Sequence, residues 1–290
     1  MDRPRLRPLE AFPLAKNGQK LLGLRDPSRL TDAVATLPPV AVAIVQLFDG
    51  DSTRDEICAE FQHRYGTPLQ REALDKLIDQ LDQAYLLDSE RFRQFSASVF
   101  GAFARAPTRK AHLAGESYPA DAAALAAQLD SYFDHPHGPG RPTPNGAAMP
   151  RAIVAPHIDF ARGGAAYAWA YKPLAESQEL PELVVVFGTD HMGAEQPFTL
   201  TRKHYETPFG TMHTDTELVD ALTAKIGERL GEARAQALFK DEYHHRGEHS
   251  LEFQVIYSFH AHGHIELSLK ALSEMRRVLK PSGVYLIGNT

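Results

Sequence analysis

The sequence has a single cysteine, Cys58, among 290 residues. One thiol cannot close an intramolecular disulfide and is too little for a thiolate metal cage, so a reducing compartment suits the chain. Long apolar runs are also missing. No stretch approaches the ~20 residues that span a bilayer. The opening Met1-Asp2-Arg3-Pro4-Arg5-Leu6-Arg7 is not followed by the apolar segment of a secretory signal. These absences predict a cytoplasmic protein with no membrane partner. Surplus positive charge is lacking as well: 31 Lys and Arg stand against 37 Asp and Glu, a net charge of −6, which gives no general attraction for nucleic acid. Internal repeats and low-complexity tracts are absent. The 43% hydrophobic and 23% charged content lies in the globular range and allows a sizeable core. The length allows one large domain or two ordinary ones.

Histidine is the informative residue. There are 14, and His63 alone precedes residue 112. Whatever uses imidazole is therefore expected in the second part of the chain.

The first part reads as a small helical module over residues 1–95. Leu37, Val40, Ala41, Ile44 and Leu47 recur at helical spacing up to Asp49-Gly50. Thr53 and Glu56 form a capping-box pattern opening a second helix with Ile57 and Phe61. Leu74, Leu77, Ile78, Leu81 and Tyr85 mark a third helix, and Tyr85-Leu86-Leu87 predicts a short strand. Three helices followed by a strand suggest a winged-helix type of module. A DNA-reading role is disfavoured, because between Gln70 and Asp88 only Arg71 and Lys76 are basic, against Glu72, Asp75, Asp79, Asp82 and Asp88. The pattern Leu47-Phe48-Asp49-Gly50, Thr53-x-x-Glu56-Ile57, Leu81 and Tyr85-Leu86-Leu87 resembles the PqqD-like modules. That resemblance implies a peptide or radical-SAM protein as partner.

Small residues and Pro107 make 93–111 read as a linker, placed at 96–111 between the two parts. A helix follows Pro119, with Ala122, Leu125, Ala126, Leu129, Tyr132 and Phe133 on one face. Beyond the breaker-rich loop 136–142, Ala152-Ile153-Val154-Ala155 and Leu183-Val184-Val185-Val186-Phe187 are continuous apolar runs. Helices are expected at roughly 163–171, 215–230 and 249–260. Apolar runs alternating with helices predict a buried parallel sheet with helices on its faces.

Both runs end in a histidine, His157 and His191. Ligands of open parallel sheets gather beyond the carboxyl ends of the strands. If the two strands are neighbours, ~4.8 Å apart, both imidazoles reach one metal ion. Asp159 and Asp190 beside them either cap the following helices or orient the imidazoles. The densest polar cluster is His244-His245-Arg246-Gly247-Glu248-His249-Ser250-Leu251-Glu252. It reads as a polar helix N-terminus, or as Glu248 and His249 turned into the same pocket as a carboxylate ligand or an acid–base pair. It does not match the His-Glu-x-x-His zinc signature.

Ala155-Pro156-His157-Ile158-Asp159-Phe160, Gly188-Thr189-Asp190-His191, Thr207-Pro208-Phe209-Gly210 and Glu248-His249-Ser250-Leu251-Glu252 occur in the order and rough spacing of the Memo family. His112-x-x-Gly115-x-x-Tyr118 matches its opening segment. Over about 110–260 the chain resembles that family, whose bacterial branch is the AmmeMemoRadiSam system protein B. The resemblance implies a fold like the class III extradiol dioxygenases, with a metal site at strand ends whose first two ligands fall on His157 and His191. It implies iron as Fe(II), with copper as the alternative, and non-haem oxidoreductase chemistry. The competing reading is a peptide- or partner-binding accessory protein of a radical-SAM system, without catalysis of its own. Whether a reaction is catalysed stays open.

The family normally continues past Glu-His-Ser-Leu-Glu with further strands, a Ser-Asp-Phe-x-His-type motif and a Cys-Gly-containing motif that completes the metal site. None of these is present here. Residues 112–262 are therefore expected to carry only the N-terminal half of the domain, with the third ligand open and function impaired. The last segment, 263–290, resembles a late part of class I SAM methyltransferases. The glycine-rich cofactor loop and the Asp/Asn-Pro-Pro-Tyr motif are missing, which argues against that activity. The expected fold is α/β: a small winged-helix-like helical module, then a partial parallel-rich sheet flanked by helices.

Overall fold

The structure, a computed structural model, describes residues 1–263 except 144, 178–180 and 182, together with the backbone of Ile287 and Gly288. The chain divides into two compact units, Met1–Ala104 and Arg105–Thr290.

The first unit opens with a feature that the helical reading omits. Strands β1 (Glu10–Lys16), β2 (Gln19–Arg25) and β3 (Val34–Leu37) form an antiparallel meander in that order. Asn17 and Gly18, at φ 51° and 77°, make the two-residue turn between β1 and β2. Asparagine and glycine adopt such left-handed positions at least cost, and the resulting twist matches that of the strands. The three expected helices follow as α1 (Pro39–Val45), α2 (Arg54–Tyr65) and α3 (Arg71–Gln83). At the start of α2 the Thr53 side chain accepts from the Glu56 N–H, and the Glu56 carboxylate accepts from the Thr53 N–H, closing the capping box. The inward faces of the helices join Leu24, Leu37, Leu86 and Leu87 in one core around Ile57, Leu74 and Ile78. Arg7 and Asp26 form a buried ion pair at 3.0 Å. Tyr85-Leu86-Leu87 makes only an isolated bridge, Leu87 to Leu6, rather than the expected strand. The stretch read as a linker is instead helical: α4 spans Glu90–Arg105. Its small residues, alanine above all, are compatible with a helix, which stops at Arg105 shortly before Pro107.

The second unit is built around its last described helix. In chain order it contains β4 (Thr108–Arg109), α5 (Ala122–Phe133), α6 (Phe160–Glu176), β5 (Val186–Phe187), β6 (His204–Thr207), β7 (Gly210–Met212), α7 (Thr216–Leu230), α8 (Glu232–Ala237), a 3-10 turn Glu242–Arg246, α9 (His249–Gly263) and β8 (Ile287–Gly288). Helix α9 is apolar on most sides, as befits a helix that solvent barely reaches. Phe253, Ile256 and Tyr257 pack against Phe160, Tyr167 and Tyr171 of α6 and Leu125 and Leu129 of α5. Leu251 and Val255 meet Val186 and Tyr205 on another side. The sheets are small: β4 runs parallel to β6, β6 antiparallel to β7, and β5 parallel to β8.

The expected buried parallel sheet is corrected in two places. Residues 152–155 form no strand: Ile153 and Ala155 lean on the core while Val154 is 96% exposed. In the second run only Val186–Phe187 is paired. There Val184 and Val186 face inward, while Leu183, Val185 and Phe187 are exposed. A continuous apolar run predicts burial on both faces; among the described residues this segment is covered on one. The methyltransferase-like reading of 263–290 lies outside the described residues, apart from the Ile287–Gly288 backbone beside β5. Among the described residues no helix is long and apolar enough to cross a membrane.

Candidate metal centre

His157 lies in the loop before α6, three residues ahead of Phe160, His191 lies in the loop between β5 and β6, and His249 is the first residue of α9. Their rings converge. The centroid separations are 5.3 Å for His157–His191, 5.9 Å for His157–His249 and 4.3 Å for His191–His249. One ring nitrogen from each lies within 4.8 Å of the others. Three donors bound to one ion at about 2.1 Å stand roughly 3–3.5 Å apart, and the 4.8 Å limit on the separations here is close to that spacing. His157 and His191 are exposed and His249 is half-buried, which leaves the donors open to an arriving ion.

The sequence reading expected neighbouring strands to bring the two loops together. The structure brings them together through the first turns of α9. Glu248, 6% exposed, accepts from the backbone N–H of His191 at 3.1 Å. The same carboxylate meets His191 Nδ1 at 3.0 and 3.1 Å. Because a carboxylate only accepts, Nδ1 carries the proton and Nε2 presents its lone pair. Ser250 N–H holds Glu248 from the other side at 2.8 Å. Ser250 Oγ accepts from the Thr189 N–H and donates to the Thr189 carbonyl, at 2.9 and 3.2 Å. The close approach needs Gly188, where an added Cβ would stand 2.5 Å from the Leu251 side chain and 2.7 Å from Ser250 Oγ.

Beneath this turn lies a buried charge network. Arg109, 1% exposed, donates to the carbonyls of His245 (2.8 Å) and Glu248 (3.2 Å) and pairs with Glu252. Glu252 also accepts from the N–H groups of His112 and Leu113, at 3.2 and 2.9 Å, and from Tyr118 Oη. Burial, and then the Glu252 charge, push the Tyr118 phenol well above its ordinary range. Asp190 turns from His191 to His244, whose Nδ1 is 2.8 Å away. Burial alone would raise the Asp190 carboxyl. The hydrogen bonds from His244 and the Met192 N–H outweigh it and hold the group below its ordinary range. Asp159 caps α6 through the Arg162 N–H at 3.0 Å and pairs with the Arg162 side chain. Of the two alternatives raised for the aspartates, Asp159 takes the helix cap, whereas Asp190 holds His244 rather than either of the two imidazoles it was expected to orient.

His245 is buried under the turn. Its Nε2 faces the Thr199 carbonyl at 3.1 Å and so carries the proton, while Nδ1 accepts from Tyr205 Oη at 3.1 Å. Burial lowers its pKa to about 4.

Glu248 and His249, read from the sequence as a carboxylate ligand or acid–base couple, stay together, with Glu248 Oε1 3.7 Å from His249 Nδ1. His249 joins the imidazole cluster, and Glu248 stands behind His191. The equal standing of the third imidazole was missed, although its signal was present in the polar cluster opening an apolar helix. Ser250 and Glu252 stood inside the Glu248–Glu252 motif without a role of their own, and Arg109 gave no signal.

A mixed α/β unit with three histidines gathered at one end of a buried helix defines the class. Comparison with known proteins makes it specific. The family model for Memo-like proteins matches residues 109–266, more than half the chain. The chain belongs to the Memo-like family. A MEMO1 family protein of Aquifex aeolicus is 25% identical over 246 residues, 85% of this chain and 60% of that protein. The MEMO1 family protein MK0963 of Methanopyrus kandleri is 34% identical over 158 residues, 53% of this chain and 52% of the relative. A third, from Nitrosopumilus maritimus, is 28% identical over 148 residues, 51% of this chain and 50% of the relative. The chain therefore spans about half to three fifths of the length of these relatives.

Proposed function

We propose that His157, His191 and His249 hold one divalent transition metal, Fe(II) in first place and copper in second. The observation that carries this is the convergence of three imidazole nitrogens within 4.8 Å on an exposed surface. The donor set fits: neutral imidazoles suit iron and copper, and three donors leave positions open. Glu248 fixes the tautomer of His191, as carboxylates do behind metal-bound histidines. When bound, such an ion supplies Lewis-acid polarisation and one-electron chemistry. This supports a non-haem, dioxygenase-like oxidoreductase role for the Memo-like unit, with His249 moved from the acid–base role to the ligand set.

The test is elemental analysis of protein purified anaerobically. About one transition-metal ion per chain is expected in the wild type, and less than a tenth of that in the His157→Ala, His191→Ala double variant. Equal metal content in the two proteins rejects the reading.

For the first unit we propose an accessory role, binding a peptide or a radical-SAM protein as a PqqD-like winged-helix module would. Its support is a cleft of about 600 Å³ lined by Leu47, Ile57, Glu56, Glu60, His63 and Arg64, with both charged and apolar walls.

A further inference from the structure

Gln254 lies one and a half turns into α9 and is 8% exposed. A buried amide is costly unless both its ends are used, by about 1–3 kcal/mol for each group left unpaired. Here both are used. Nε2 donates to the Pro156 carbonyl at 2.7 Å, and Oε1 accepts from Tyr171 Oη at 2.8 Å. A carbonyl can only accept, so the amide nitrogen must face Pro156, and Tyr171 completes the oxygen side. Two residues along, the Ile158 carbonyl accepts from Tyr167 Oη at 3.1 Å. These two carbonyls flank His157. The peptide entering the histidine, Pro156–His157, and the Ile158–Asp159 peptide one residue beyond it are each held by a buried side chain, one from α9 and one from α6.

We propose that Gln254, oriented by Tyr171, is a positioning residue that aims His157 at the imidazole cluster. This rests on the metal reading above and extends it to a residue that touches none of the three rings. It also balances the site. Glu248, just before α9, and Ser250 in its first turn fix the His191 loop, and Gln254 fixes the His157 loop from the same helix. All three loop anchors therefore move with His249, the residue that opens α9. A Met or Leu would fill the same apolar surroundings without needing a partner, so packing alone does not call for an amide at 254.

The test uses the full chain and Co(II) as the probe, titrated by its visible absorption. Hydrogen–deuterium exchange of residues 154–160 is measured in the metal-free protein. Gln254→Glu keeps the shape and the acceptor toward Tyr171 but removes the donor toward Pro156; Gln254→Met removes both. Each is expected to weaken Co(II) binding roughly 10- to 100-fold, the usual effect of losing a group that orients a ligand, and to speed exchange at 154–160. Leu129→Ala, a core truncation in α5, controls for general destabilisation. It should lower the melting temperature while leaving Co(II) affinity and exchange at 154–160 unchanged. If both Gln254 variants bind Co(II) as tightly as wild type and exchange at the same rate, the positioning role is overturned and the metal reading stands. If wild type takes up no Co(II), both are overturned.

Discussion

His245 shows how a residue that touches no ligand can set the conditions under which the site exists. Its ring is enclosed between Thr199 and Tyr205 and stays neutral until about pH 4, while in the unfolded chain it protonates near 6.5. Between those values unfolding takes up a proton, so the folded state loses stability as pH falls from about 6.5 toward 4. The loss traceable to this residue is on the order of 2–3 kcal/mol. Urea unfolding at pH 7, 6 and 5 checks it. The decline across that window should be shallower in His245→Gln, which has no proton to gain. An identical slope in both proteins would remove His245 as its source. The neighbouring Glu248 works differently: one carboxylate meets both the backbone N–H and the ring of His191, so the ring cannot turn without breaking a contact to the chain.

Among the elements, α9 does the assembling. Glu248 just before it, then Ser250, Glu252 and Gln254 within it, reach the His191 loop, the Thr189 backbone, Arg109 and the His157 loop in turn. These side chains leave the helix in different directions, and the apolar residues between them fill the core. Gly188 marks where the β5 loop presses on this helix. Gly188→Ala is expected to destabilise the fold by about 1–3 kcal/mol, the usual cost of overpacking. It should also lower metal affinity by shifting His191. A thermal melt and a cobalt titration measure the two effects, and a variant with wild-type values in both would show that the contact yields freely. Periodicity made α1, α3 and α5 legible in the sequence because each buries a regular apolar row, and the capping box marked the start of α2. The β1–β2 hairpin carried its own signal in Asn17-Gly18, but its strands show no clean apolar–polar alternation and are interrupted by Pro13 and Gly23. Helix α4 was hidden by small residues. The strand expected at 152–155 failed because apolar content alone does not fix pairing. His157 and His191 were legible as candidates from their matched positions, but the means of their convergence was not, since it depends on hydrogen bonds from a helix about a hundred residues after the first loop.

At the scale of the whole molecule, the two units have separate cores. All three clustered histidines belong to the second, as does the chain's one tryptophan, Trp169. Tryptophan emission therefore reports the second unit, while circular dichroism reports both. Saturating Co(II), at a hundred times its dissociation constant, should stabilise the unit that binds it by about 2.7 kcal/mol. The expected outcome is an upward shift of the melt followed by Trp169, with a smaller shift, or a second unshifted transition, in circular dichroism. Equal shifts by both probes would mean that the units melt as one.

The outward-facing rings of His157 and His191 bear on how the protein should be handled. Exposed imidazoles in a cluster are what nickel- or cobalt-charged chromatography resins capture, so the untagged chain should be retained on such a column. The same contact would carry ions from the resin into the cluster. A native metal inventory therefore calls for ion exchange and size exclusion alone, in buffers free of chelators.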